Sequence, residues 1–192
     1  MARLRQEEGQ ERNKGMSDVK SELHGTVMSI VHELEAAAEG NLYYDGSDCI
    51  IIDDMDAWKE EQFQDKVKKF KADNPEDKFD SEEMGFDTYE EWMEDEIGTA
   101  DDVEEPDEMS IYEYIDKQSL GDVRFEVDEN LDLDGGKVLF CCGGPTVWVH
   151  DDEVCGYWGS ESVEMSLDSD TRSQLYSYFD ELLSWAKDRL SR

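Results

Sequence analysis

The stretch "LFCCGGPTVWVHDDEVCGYWG", residues 139–159, decides the fold. Val147, Trp148 and Val149 alternate along one strand, so one face of that strand belongs to a core. Gly143, Gly144 and Pro145 bend the chain before it, and "HDDEV" turns the chain after it. The stretch therefore reads as hairpins around a core. Adjacent Cys141 and Cys142 point to opposite faces of a strand and cannot both ligate one metal without breaking it. Cys49 and Cys155 have no CxxC partner, and His24, His32 and His150 lie at no standard ligand spacing. The thiols read as small buried side chains. No metal, other cofactor or catalytic group is expected. Tyr157 and Trp158 read either as core or as an exposed recognition pair.

Outward from this stretch the period of two continues. "VRFEV" (123–127), "KVLFCC" (137–142), "TVWVH" (146–150) and "VCGYWG…SVEMSL" (154–167) read as consecutive short strands, with "DLDGG" (132–136) as a turn. A helix over 170–190 aligns Leu175, Phe179, Leu182, Leu183, Ala186 and Leu190. At the other end, Ser17 reads as an N-cap. Val19, Leu23, Val27, Ile30, Val31, Leu34 and Ala38 follow at helical spacing, and Gly40 stops the helix. "CIII" (49–52) reads as a short buried strand after the turn "YDGSD". A helix from Asp56 to Lys71 carries five lysines and turns Trp58, Phe63, Val67 and Phe70 inward; Asn74 and Pro75 end it.

The expected fold is α+β: a short antiparallel β-meander packed with N- and C-terminal helices, and an acidic helical insertion in the middle. Residues 1–16, polar and mixed in charge, read as a flexible arm. Residues 17–192 read as a single domain, with 72–134 its acidic helical and loop region and 122–192 the meander plus C-terminal helix.

The chain's 192 residues include 52 Asp and Glu against 18 Lys and Arg, a net charge of −34. A hydrophobic content of 38% is too high for a disordered acidic chain. Phosphate repels such a surface, so direct binding to nucleic acid is not expected. The complement is a basic protein, a polycation or a divalent metal. "MARLRQEEGQERNKGMSD" lacks the apolar run of a signal peptide, no stretch is apolar enough to span a membrane, and four cysteines without an export signal read as reduced thiols. The expected compartment is the cytoplasm, and the expected state is a monomer.

The charge is concentrated. Residues 72–134 hold 26 acids against three bases, a net −23. Within them "DTYEEWMEDEI" (87–97) keeps helical order. Tyr89, Trp92, Met93 and Ile97 form an apolar stripe, with Asp87, Glu90, Glu91, Glu94 and Asp95 off it. "TADDVEEPDEM" (99–109) reads as an acidic loop, and "SIYE" (110–113) as a capping box opening a short helix. Over 87–96 six acids occupy about 15 Å of helix. That is one charge per roughly 2.5 Å, against one per about 1.7 Å on duplex DNA. Asp87–Glu91, Glu90–Glu94 and Glu91–Asp95 are like-charge pairs, each unfavourable by about 0.2–0.5 kcal/mol. A merely solvated face more often mixes signs.

Two other acidic motifs carry metal readings. "DENLDLDGGKVLF" (128–140) places Asn130, Asp132, Asp134 and Gly135 at EF-hand positions, but Cys141 falls where the bidentate Glu belongs, so a β-turn is favoured. "DDMD" (53–56) follows a strand as Mg²⁺ ligands do in metal-dependent nucleases, and helix capping by Asp is favoured there. They leave a divalent-cation-binding protein or metal-dependent enzyme as the second alternative.

The pattern Gly143-Gly144-Pro145-x-x-Trp148 followed by Gly156-Tyr157-Trp158-Gly159 resembles small proteins of gut-bacterial phages and mobile elements, over about residues 138–165. That likeness implies a mobile-element origin and no reaction. The whole profile, very acidic and free of catalytic motifs, resembles the DNA-mimic inhibitors of phages, which include anti-restriction and anti-CRISPR proteins. It implies an anti-CRISPR protein that is no enzyme: one that fills the basic channel of an RNA-guided nuclease loaded with its guide RNA, blocking DNA binding or cleavage. An anti-restriction or other acidic inhibitor of a DNA-binding protein is the first alternative. A highly soluble protein with no basic target would spread its acids more evenly. The expected contacts are Asp87, Glu90, Glu91, Glu94 and Asp95, with Asp101, Asp102, Glu104 and Glu105 as a second cluster.

Overall fold

The structure is a computed structural model; it describes the backbone from Ala2 to Ser191 and side chains from Asp18 to Ser191. In chain order it contains α1 (Ala2–Glu39), β1 (Leu42–Tyr44), β2 (Cys49–Ile51), α2 (Met55–Asp73), α3 (Ser81–Met84) and α4 (Tyr89–Ile97). There follow β3 (Asp107–Glu108), α5 (Ile111–Gln118), β4 (Val123–Val127), β5 (Leu133–Cys141), β6 (Thr146–His150), β7 (Glu153–Trp158), β8 (Glu161–Ser166) and α6 (Ser169–Leu190). The class is α+β, with a five-stranded meander in the order β4-β5-β6-β7-β8 and a small sheet in the order β2-β1-β3.

Two differences from the sequence reading concern organisation. The chain forms two compact units where one domain was expected: residues 1–42 with 108–192, and residues 43–107. The boundary ignores the change in composition at residue 72. It falls at β1 and β3, where Met109 N–H donates to the Leu42 carbonyl at 2.8 Å. Helix α1 also begins well before Ser17, so the backbone expected as a flexible arm over 1–16 is helical from Ala2. That segment is rich in Arg, Gln and Glu, which favour helix without favouring burial. Its side chains lie outside the described residues.

The first unit is built on the meander. Leu23, Val27, Val31 and Leu34 of α1 are buried at helical spacing, and α1 packs on β7 and β8 while α6 packs on β5. The pleat decides what they meet. Registers Val138↔Val149, Val147↔Gly156 and Val154↔Met165 keep one apolar face continuous across the strands. Two strand glycines permit the helices to approach. A Cβ on Gly136 would overlap the Phe179 ring, and one on Gly156 would lie 2.5 Å from Val27. This close approach corrects the turn expected at "DLDGG". Asp128 instead turns the chain at 128–132 by accepting from the N–H groups of Asn130 and Asp132. The glycines sit inside β5, where a helix comes close. Helix α5 adds Ile111, Tyr114 and Ile115 to the core and carries the expected Ser110/Glu113 capping box.

On the opposite face of the meander, Trp148 lies beneath the Arg124 guanidinium at 4.5 Å and near the Lys137 ammonium at 5.7 Å. Cys155 is buried on this face, and its burial pushes the thiol up to about 12. Cys142 and Tyr157 are exposed, and Trp158 is half-buried. The opening stretch is thus a set of hairpins around a core.

The second unit has little interior. Asp54 caps α2 by accepting from Ala57 N–H, which gives the "DDMD" motif its capping role. None of α2 is fully buried. Strand β2 is an outer strand of its sheet, with Cys49 and Ile50 half-buried and Ile51 46% exposed; of the buried strand expected at "CIII", only Ile52, just past β2, is buried. What organises the unit is a group of rings. Phe70 of α2 meets Trp92 of α4 at 5.0 Å and Tyr89 at 6.0 Å, and Phe79 stacks on Trp92 at 5.9 Å. The Tyr89 hydroxyl donates to the Asn74 carbonyl at 2.5 Å, so burial of this ring ties α4 to the end of α2.

Candidate acidic interaction surface

Helix α4 begins at Thr88, whose hydroxyl accepts from Glu91 N–H, and ends at Gly98. Its apolar stripe turns Tyr89 and Trp92 into the ring cluster. The acids therefore face outward: Asp87, Glu90, Glu91, Glu94 and Asp95 are all exposed. Asp87, Glu91, Glu94 and Asp95, with Gly85 and Phe86, line one shallow cleft of about 500 Å³. The structure thus brings together four of the five acids expected there, and Glu90 lies outside that lining.

The electrostatics of α4 oppose its own stability. Glu90 and Glu91 in the first turn favour the helix dipole, but Glu94, Asp95 and Glu96 crowd its C-terminal half with no basic residue in the last turn. Asp87 precedes the Thr88 cap, so of the three like-charge pairs expected only Glu90–Glu94 and Glu91–Asp95 lie on the helix, at about 0.2–0.5 kcal/mol each. Aromatic contacts contribute about 0.5–1.5 kcal/mol each beyond burial, and Tyr89 and Trp92 between them make five. The rings win, and the carboxylates are held in fixed order on a helix.

The second cluster is differently employed. Asp101 and Asp102 lie in a 3₁₀ turn, Ala100–Asp102. The Asp102 carboxylate accepts from Thr99 N–H at 2.8 Å and from its hydroxyl at 2.9 Å. Those bonds, the backbone one first, hold its pKa below the ordinary carboxylate value. Glu105 pairs with Lys59 of α2, and that bond raises the lysine's pKa. Of the four acids in this cluster, Asp102 is a cap and Glu105 is already matched by a cation.

A second cleft, of about 330 Å³, joins residues the sequence reading did not connect. Glu104, Glu105, Pro106 and Asp107 line it together with Tyr44 and Asp45 of the β1–β2 turn and Trp58 of α2. Pairing of β3 with β1 brings the 104–107 segment beside a turn some sixty residues earlier in the chain. "YDGSD" reads only as a turn and Trp58 only as core, so sequence offered no signal for their meeting.

Among the described residues, no group of three or more His, Cys, Asp or Glu side chains has an arrangement that holds a metal ion. Among the same residues, no helix is long and apolar enough to cross a membrane. Comparison with protein-family models, with curated proteins and with solved structures gives no match.

Proposed function

We propose that the protein is an inhibitor that occupies the basic nucleic-acid channel of a bacterial RNA-guided CRISPR nuclease. It acts in the cytoplasm of the host cell as a monomer, without a cofactor and without chemistry of its own. The observation that carries the reading is the outer face of α4. Its acids are fixed on a helix braced by five ring contacts, at a charge spacing close to that of duplex phosphates. A tail of the same composition would lose entropy on binding; a braced helix has that ordering in place. The CRISPR target, rather than a restriction enzyme or another DNA-binding protein, follows from the phage-like pattern at residues 143–159.

The test is DNA binding and cleavage by a purified RNA-guided nuclease, with and without the protein. Inhibition should weaken with salt as the Debye length falls from about 10 Å at 0.1 M to about 3 Å at 1 M. Reversing Glu90, Glu91 and Glu94 to Lys should relieve inhibition while the protein stays folded. Equal inhibition by parent and variant would remove α4 from the mechanism.

A further inference from the structure

The cleft at the β1–β2 turn has a chemistry that the α4 surface lacks. Tyr44, Trp58 and Pro106 give it aromatic and apolar walls, and Asp45, Glu104 and Asp107 place carboxylates around them. Aromatic faces and carboxylates share one kind of ligand: a cation with a flat, weakly hydrated head. We propose that this cleft receives a single arginine side chain of a protein partner.

Three observations favour that occupant. First, the volume of about 330 Å³ lies at the lower end for ligand pockets, suited to one side chain rather than a folded segment. Second, the fold already seats a cation at its edge: Lys59, only 18% exposed, bonds Glu105. Glu104 and Asp107 have no ion-pair partner among the described residues, and their charge is available to a second cation. Third, the carboxylates differ in freedom. Asp45 is fixed by bonds from Ser47 N–H, the Ser47 hydroxyl and Asp48 N–H, all to Oδ1, which fills that oxygen and leaves Oδ2 as an acceptor in a fixed place. An acceptor in a fixed place suits a pre-organised guanidinium better than a rotating ammonium. Stacking on an indole or phenol likewise favours the planar head over a lysine.

The inference shares with the proposed function only the idea of a basic protein partner, and its test is independent of any nuclease. The probe is N-acetyl-arginine amide, titrated into the full chain while the indole N–H resonances are followed. Trp58→Phe identifies which signal belongs to Trp58. The Trp58 signal should move and saturate in the millimolar range. N-acetyl-citrulline amide, which has the shape without the charge, should leave it still, and N-acetyl-lysine amide should bind about fivefold more weakly. Glu104→Gln with Asp107→Asn should weaken arginine binding about fivefold, the weight of an exposed ion pair. Reversal of Glu90, Glu91 and Glu94 should leave it unchanged. Failure of nuclease inhibition alone would therefore leave this site standing. An unmoved Trp58 signal, or equal binding of citrulline, would overturn it, and lysine binding as tightly as arginine would overturn the choice of residue.

Discussion

The two units divide charge and core between them in opposite senses. Residues 43–107 hold 25 acids against six bases, whereas the other 127 residues hold 27 acids against 12 bases. Yet only Ile52, Tyr89 and Val103 of the described apolar residues are fully buried in the second unit, while the first unit buries the meander, α5 and one side each of α1 and α6. The charge sits where burial is least. A scaffold that must stay folded has been kept apart from a surface that is costly to hold together, and rings rather than aliphatic residues bind that surface.

The largest effect that would sharpen this contrast lies in the first unit. Phe179→Ala should cost about 3–5 kcal/mol, because the ring fills the space above Gly136. Urea unfolding checks it, and a loss below about 1 kcal/mol would show that the meander does not carry the fold. Next is Trp92→Ala. It should loosen the second unit alone, by about 2–3 kcal/mol as a ring from a half-buried cluster. Cys49 of β2 should then react faster with a thiol reagent, while Cys155, buried in the meander, stays protected. Simultaneous exposure of both thiols would mean that the units unfold as one.

Smaller effects follow from capping and charge. The Asp168 carboxylate accepts from the Thr171 hydroxyl and from the N–H groups of Asp170 and Thr171. These bonds, the Thr171 hydroxyl first, lower its pKa. Its contribution is therefore complete above the unfolded carboxylate value and is lost as pH falls through the lower folded value. Asp168→Ala should cost about 1 kcal/mol at neutral pH, and the difference between parent and variant should vanish in strong acid. The smallest change is at α4. Reversing Glu90, Glu91 and Glu94 to Lys makes the pair at positions 91 and 95 attractive, by a few tenths of a kcal/mol, while positions 90 and 94 still repel each other. It also puts two cations in the first turn, where the helix dipole disfavours them by about 0.3–1 kcal/mol each. The urea midpoint should fall slightly, and a rise would show that repulsion among the outward acids outweighs the dipole.

Legibility followed the same division. In the first unit, strand periodicity found β4, β6, β7 and β8 closely, because burial on one face imposes alternation. At β5 it found residues 137–141 and missed the start of the strand, where Gly135 and Gly136 look like a turn until Phe179 is known to lie above Gly136. In the second unit, α2 and α4 were readable from their stripes, and the outward placement of Asp87, Glu90, Glu91, Glu94 and Asp95 followed from the same periodicity. The short pieces β1, β3 and α3 were not readable. They are two to four residues long, too short for a period to show. The meeting of Trp58 with Glu104 depends on strand pairing between distant segments, and no local pattern encodes it. Nor does composition mark the division into units. The acidic block from 72 to 134 runs through the boundary at residue 107 because α5 and the β4–β5 turn also carry acids on their exposed sides.

The bond from Met109 to Leu42 has a consequence for how such a protein changes over generations. It clamps the two ends of a 65-residue excursion. The entropy of closing such a loop grows only with the logarithm of its length, so doubling it costs about 0.6 kcal/mol more. The excursion can lengthen, shorten or exchange its acids with little penalty to the meander, provided its two ends still meet. Sequence drift would then accumulate between residues 43 and 107, while Gly136, Gly156 and the residues packed above them stay fixed.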